Sequence, residues 1–245
     1  MNVPVPILPK ALSPSTMTQV IPAIIPENRE QLENEINLVS DFASLVQVDI
    51  ADGIFTKVKT WPYNGRDMEF FEQLKTEEVG WPKWQEVDVE AHLMVEHPED
   101  VVSDWIQTGA TSIVAHIEAT ENFQKIIDIC KENIVAVGVA IKPSTDISLL
   151  EIYASQVDFI QVMGSDNLGM HGVELQYEAV EMIRKLHALY PERIIGIDIG
   201  VNEETVEDLV EAGATRLVAG SFILEAESPA AAFNYLKSND TKSDR

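Results

Sequence analysis

Residues 193–224 read "RIIGIDIGVNEETVEDLVEAGATRLVAGSFIL". Two apolar runs, 193–200 and 216–224, flank the amphipathic segment 203–212, and glycines mark the junctions. Short apolar runs bounded by glycine read as buried strands, and a 3.6-residue apolar period reads as the helix covering them. A strand, a helix and a second strand in this order make a crossover between parallel strands.

The same unit repeats outward along the chain. Further strand-like runs occur at 20–25, 45–50, 87–95, 112–118, 134–141 and 157–163, with helix-like segments such as 28–40, 99–108 and 174–189 between them. Most of the strands are too apolar for a sheet that is wet on one side, which implies parallel strands covered by helices. Eight strands, each followed by a helix, in 245 residues predict an α/β fold, a single closed (β/α)8 TIM barrel. An open doubly wound sheet is the alternative. The barrel domain is expected over 20–238, after an irregular, Pro-rich arm at 1–19 and before a polar tail at 239–245. The arm lacks the basic start and long apolar core of a signal peptide, and Met17 offers a second start position. One long departure, 56–86, carries Trp61, Trp81 and Trp84 and is expected to pack its aromatic rings rather than act as a lid.

Composition narrows the function. The chain has 41 acidic against 17 basic residues, a net charge of −24, which argues against nucleic acid or an anionic membrane as a partner. No run approaches the roughly 18 apolar residues of a membrane span. The one cysteine, Cys130, excludes an internal disulfide and fits a reducing cytoplasm. An anionic substrate would need a local positive feature to overcome this field.

Barrel enzymes carry their active groups at the C-terminal ends of the strands. Side chains two apart on a strand share a face, which groups Gln47 with Asp49 and Glu90 with His92 and Met94. In the seventh strand Gly196, Asp198 and Gly200 share the inner face, and Ile195, Ile197 and Ile199 the outer. Asp49, His92 and Asp198 therefore converge. A buried carboxylate is costly unless paired or bound to a cation, so two acids and an imidazole in one cavity suit a divalent metal such as Zn²⁺, Fe²⁺ or Mn²⁺. Asp52 is expected to shape the turn at Gly53, His97 and His187 to lie at the surface, and His116 to sit deep in its strand. Gly200 and the Gly220–Ser221 pair are expected to offer backbone N–H groups at helix N-termini, where a phosphate binds.

These residues resemble a known family. "VQVDIADGIF", "AHLMVEHPED", "VAHIEAT", "VGVAIKPST", "DIGVN" and "EAGATRLVAGS", in this order, are similar to ribulose-phosphate 3-epimerase, over about 20–236. The resemblance implies a metal-dependent barrel of ribulose-phosphate-binding type that interconverts D-ribulose 5-phosphate and D-xylulose 5-phosphate in the pentose phosphate pathway. It implies Asp49 and Asp198 as the acid/base pair and, with His92, as ligands of Zn, Fe, Mn or Co. It further implies that His92, Gly169, Gly172, Gly200, Gly220 and Ser221 contact the substrate or its phosphate. The partner would be a small sugar phosphate, and a homo-oligomer is compatible with the chain.

The chain also departs from that pattern. Gln47 stands where the family has its remaining metal-binding histidine, and is a weaker ligand. Ala23 replaces a serine and Ile54 a histidine, while "LGMHGV", 168–173, replaces the family's "PGFGGQ" loop, with His171 inside it. Ile199 replaces the first glycine of "DGG", and Lys142 replaces an asparagine and could place a positive charge near the mouth. The expectation is a divergent epimerase-like enzyme with a weaker metal site or a somewhat different sugar phosphate. The alternatives are a catalytically weak sugar-phosphate-binding barrel with a binding or regulatory role, and a phosphate-binding lyase or decarboxylase. The lyase lacks its lysine at the second or third strand end, since Lys57 and Lys59 lie beyond the strand.

Overall fold

Eight strands, all paired in parallel and in sequence order, close on themselves in the computed structural model, which describes residues 18–170 and 172–239. They are β1 (Gln19–Ile24), β2 (Leu45–Ala51), β3 (Asp88–Met94), β4 (Ser112–His116), β5 (Ala136–Ile141), β6 (Phe159–Met163), β7 (Ile194–Asp198) and β8 (Arg216–Ala219). The pairing of β1 with β8 excludes the open sheet. Most of the expected arm, including Met17, the tail beyond Asn239, and His171 lie outside the described residues. Gln19 already belongs to β1, so the barrel begins one residue earlier than expected.

The helices are α1 (Arg29–Val39), α2 (Met68–Lys75), α3 (Val102–Gln107), α4 (Phe123–Glu132), α5 (Tyr177–Leu189), α6 (Val206–Glu211), α7 (Ser221–Leu224) and α8 (Pro229–Ser238). In α1 the Asn28 side chain accepts from Gln31 N at 2.9 Å, and Leu32, Ile36 and Val39 are buried, one stripe facing the sheet. The fifth unit differs from the expectation. Only a 3-10 helix, Ile147–Leu150, follows β5, with Asp146 as its N-cap, accepting from Ser148 N at 2.9 Å. The eighth run also stops early as a strand, at Ala219, and continues as α7.

Side chains sort by face. Val48, Ile50, Ala91, Leu93, Ile195 and Ile197 point outward into the main core beneath the helices. A smaller cluster inside the barrel holds Ala51, Met94, Val114, Ala140, Phe159 and Met163. Gly138 makes room for it: a Cβ there would meet the Phe159 ring at 2.2 Å. Ile199 breaks the expected alternation. Its backbone is left-handed, φ 83°, which turns the side chain against the inner cluster instead of the outer core.

The 56–86 excursion packs as aromatic rings. Trp61, fully buried, meets Phe71, Trp81 and Trp105 edge-on with centroids 5.8, 6.2 and 6.2 Å away. It also holds β2: Thr60 Oγ1 accepts from Ala51 N and donates to Asp49 O, each at 2.9 Å.

Candidate active site

A cavity of about 350 Å³ opens at the C-terminal ends of the strands, lined by Asp49, Asp198, Gly169, Gly172, Gly200, Gly220 and Ser221 among others. Register places the acids. Asp49 pairs with His92 across β2 and β3, and Asp198 pairs with Met163 and Val218 on either side of β7. Ligand atoms of Asp49, His92 and Asp198 lie within 4.8 Å of one another, and all three residues are buried. His92 is fully buried and is not part of the cavity wall; its Nδ1 is 2.9 Å from Asp49 Oδ1 and 3.4 Å from Asp198 Oδ2.

Gln47, paired with Glu90 across β2 and β3, is also fully buried. Its Nε2 donates to Asp49 Oδ1 and to Asp198 Oδ2, each at 2.8 Å, and sits 3.2 Å from His92 Nδ1. Behind it Gln161 Nε2 donates to Gln47 Oε1 at 3.0 Å and to Asp198 Oδ2 at 3.2 Å. Arg216 Nη1 donates to Gln161 Oε1 at 3.0 Å, and Arg216 Nη2 pairs with Glu90 Oε2 at 2.5 Å. Ser112 Oγ donates to the same Glu90 oxygen at 2.7 Å, and the guanidinium lies 4.0 Å over the Phe159 ring. Both contacts fall on Glu90 Oε2, while Glu90 Oε1 is buried without a hydrogen-bond partner, so the carboxylate depends on Arg216 for its charge balance.

Burial, then the charge of Asp49, pushes the Asp198 carboxyl up to about 7 against the opposing pull of His92 and Gln47. Burial pulls His92 down, but the hydrogen bond and charge of Asp49 and the charge of Asp198 outweigh it and raise the imidazole overall. His116 extends the site. Its Nε2 lies 3.0 Å from His92 Nε2, and its Nδ1 lies 3.2 Å from Glu118 Oε2. Burial lowers His116 to about 4, so it is a neutral ring at pH 7. Burial alone would raise Glu118, yet hydrogen bonds from His116, Lys142 N and Thr145 Oγ1 bring it to about 2.

Several expectations find their place here. Asp52 does shape its turn, accepting from Ile54 N and Phe55 N, and from Glu96 N. His97 and His187 are exposed. Gly220 caps α7, but Gly200 precedes α6 by six residues and so lies in a loop rather than at a helix N-terminus. Lys142 does not line the cavity; its Nζ lies 4.9 Å from the centroid of the Phe55 ring. Among the described residues no Lys or Arg lines the cavity, whereas Glu174 and Glu225 do. Sequence reasoning left out Glu118, Gln161 and Arg216, and left His116 without a role. Single polar residues in apolar strands, as in "FIQVM" and "SIVAH", were the available signal.

Among the described residues no helix is long and apolar enough to cross a membrane. The model of the family described as "Ribulose-phosphate 3 epimerase family" matches residues 19–224. A ribulose-phosphate 3-epimerase of Candida glabrata is 30% identical over 148 residues, 60% of this chain and 60% of that protein. That of Bacillus subtilis is 28% identical over 213 residues, 84% of this chain and 92% of that protein. Among solved structures, 3-hexulose-6-phosphate synthase from Salmonella typhimurium superposes with a TM-score of 0.66 at 16% identity, covering 90% of this chain and 97% of that one, a likeness of fold. With its closed parallel barrel, its buried Asp–His–Asp group and a family match over most of its length, the chain belongs to the ribulose-phosphate 3-epimerase family of isomerases.

Proposed function

We propose that the protein inverts C3 of a ketose phosphate, converting D-ribulose 5-phosphate to D-xylulose 5-phosphate, in the cytoplasm. The observation that carries this reading is the pair Asp49 and Asp198, delivered from β2 and β7 to the floor of one cavity. The C3 proton is alpha to a ketone. One ionised carboxylate removes it to give an enediolate, and the other, protonated, returns a proton to the opposite face. Burial and the neighbouring Asp49 charge raise the Asp198 carboxyl, which suits a group that takes up and returns a proton.

Two carboxylate oxygens and an imidazole nitrogen this close are a fitting donor set for a divalent cation, so Asp49, His92 and Asp198 would hold it. When bound, the cation supplies positive charge for the developing enediolate oxygens. Gly200, Gly220 and Ser221, with Gly169 and Gly172 across the opening, would hold the phosphate; without a lining cation, backbone N–H groups must do so. A second reading, a catalytically weak sugar-phosphate binder, draws support from the Gln47 amide lodged between the two acids.

The test is incubation of D-ribulose 5-phosphate in D₂O with Mn²⁺, Zn²⁺, Fe²⁺ or Co²⁺ in turn. Deuterium at C3 and formation of the xylulose epimer are expected. Thermal stabilisation by the sugar phosphate without deuterium uptake would favour the second reading.

A further inference from the structure

We infer that Gln47 serves the Asp49–Asp198 pair as a hydrogen-bond donor that competes with a divalent cation, and that a polar relay from Arg216 through Gln161 fixes its amide in that sense. The inference rests on the reading of Asp49, His92 and Asp198 as the cation-holding centre of an epimerase.

The sense of each amide follows from one residue. A guanidinium has donors and no acceptor, so the Gln161 atom 3.0 Å from Arg216 Nη1 is the carbonyl oxygen. The Gln161 NH₂ then points the other way, to Gln47 Oε1 at 3.0 Å and to Asp198 Oδ2 at 3.2 Å. That fixes Gln47 in turn. Its oxygen is taken by Gln161, and its two N–H groups face Asp49 Oδ1 and Asp198 Oδ2 at 2.8 Å each. Turning Gln47 alone would set two NH₂ groups against each other and an oxygen against two carboxylates. Turning both amides would set the Gln161 NH₂ against Arg216. Arg216 in turn is anchored by Glu90. Gln47, Gln161 and Arg216 are all buried, so water cannot readily repair such a mismatch.

The amide therefore gives the two carboxylates the donors they would otherwise seek in a cation. A metal ion taking both acids must displace those hydrogen bonds, and Gln47 has no free oxygen to offer it. Gln47 here opposes metal binding.

The sign of one substitution tests this. Chelator-treated protein is titrated with Co²⁺, read by calorimetry and by the visible absorption of the bound ion, for the natural chain, Gln47→Leu, Gln161→Glu and the double variant. Gln47→Leu is expected to bind Co²⁺ roughly tenfold tighter, on the scale of outer-shell effects at metal sites. In Gln161→Glu the new carboxylate accepts from Arg216 and from Gln47, turning Gln47 Oε1 toward the ion. Tighter binding is expected there too, with a gain that shrinks in the double variant. A gain that persists in the double variant comes from added charge and overturns the relay. Weaker or unchanged binding by Gln47→Leu makes Gln47 a ligand or a bystander and overturns the competition. Should Gln47→Leu not fold, the far-ultraviolet spectrum shows it, and unchanged binding by Gln161→Glu overturns the inference alone. Epimerisation by the natural chain is read separately. Turnover with a weaker-binding Gln47→Leu sinks the inference and keeps the epimerase, whereas no turnover with a tighter-binding Gln47→Leu does the opposite.

Discussion

His92 Nε2 and His116 Nε2 face each other at 3.0 Å, their rings stacked at 22°. One nitrogen of that contact must carry a proton. His116 is a neutral ring whose Nδ1 faces the Glu118 carboxylate, so its Nε2 accepts and the proton of the contact sits on His92 Nε2. His116 then carries its own proton on Nδ1, toward Glu118. The Glu118 carboxylate, held by Lys142 N and Thr145 Oγ1, fixes the direction of the chain.

Glu118 also predicts an acid-side loss of stability. Its carboxyl lies near 2 when folded against an ordinary 4.5, so its contribution is complete above pH 4.5 and is lost as pH falls toward 2. The sign follows from proton uptake by the unfolded chain over that range, and the size is about 2–3 kcal/mol for so buried a group. In urea unfolding, the gap between the natural chain and Glu118→Gln should narrow by about that amount between pH 5 and 2.

Asp49→Asn and Asp198→Asn should each lower kcat by about 10²–10⁴-fold, the usual contribution of a positioned acid or base. The two variants should also differ. Each keeps the carboxylate facing one epimer, so C3 exchange with solvent persists for that epimer and vanishes for the other. Proton NMR in D₂O of both sugar phosphates reads this directly. Equal loss of exchange with both epimers in both variants would count against two bases on opposite faces.

The pair Arg216–Glu90 predicts a large, conditional stability loss. Arg216→Met leaves the fully buried Glu90 without its cation, at a cost of about 3–5 kcal/mol. Arg216→Met with Glu90→Gln removes the stranded charge and should regain much of it. Denaturant midpoints of the natural chain, Arg216→Met, Glu90→Gln and the double variant decide the matter, and additive losses would show that the two residues are uncoupled.

Gly200 predicts a binding defect. A Cβ there would meet the Leu175 backbone at 2.9 Å, at a φ of +76° that side chains rarely adopt. Gly200→Ala must therefore shift the loop on the cavity wall, with a strain of about 1–3 kcal/mol. If that wall holds the phosphate, KM for the sugar phosphate and the inhibition constant of inorganic phosphate should rise together by about tenfold, since 1.4 kcal/mol is a factor of ten. A rise in KM alone would place the phosphate elsewhere.

Much of this architecture was legible in the residues. Apolar strands and glycine turns gave the parallel barrel, and alternation put Asp49, His92 and Asp198 on the inner face, because side-chain direction in a strand needs no knowledge of its neighbours. The fifth helix is only a 3-10 segment, Ile147–Leu150, and Ile199 failed where a left-handed residue ends the alternation. Gln161 and Arg216 were hidden for a different reason. Each is one polar residue in an apolar strand, and only barrel closure brings β6, β8 and β2 to a common layer.

The excursion after β2 offers a use unrelated to chemistry. Three of the four tryptophans, Trp61, Trp81 and Trp105, lie buried in one ring cluster, and the fourth, Trp84, is 65% exposed. Thr60, next to Trp61, is stitched to the backbone of Asp49. Tight edge-on indoles couple their electronic transitions, so the near-ultraviolet dichroism of this chain is an optical gauge mounted beside β2. It should register loosening of the Asp49 end of β2 without any label, while Trp84 emission follows solvent at the outer face.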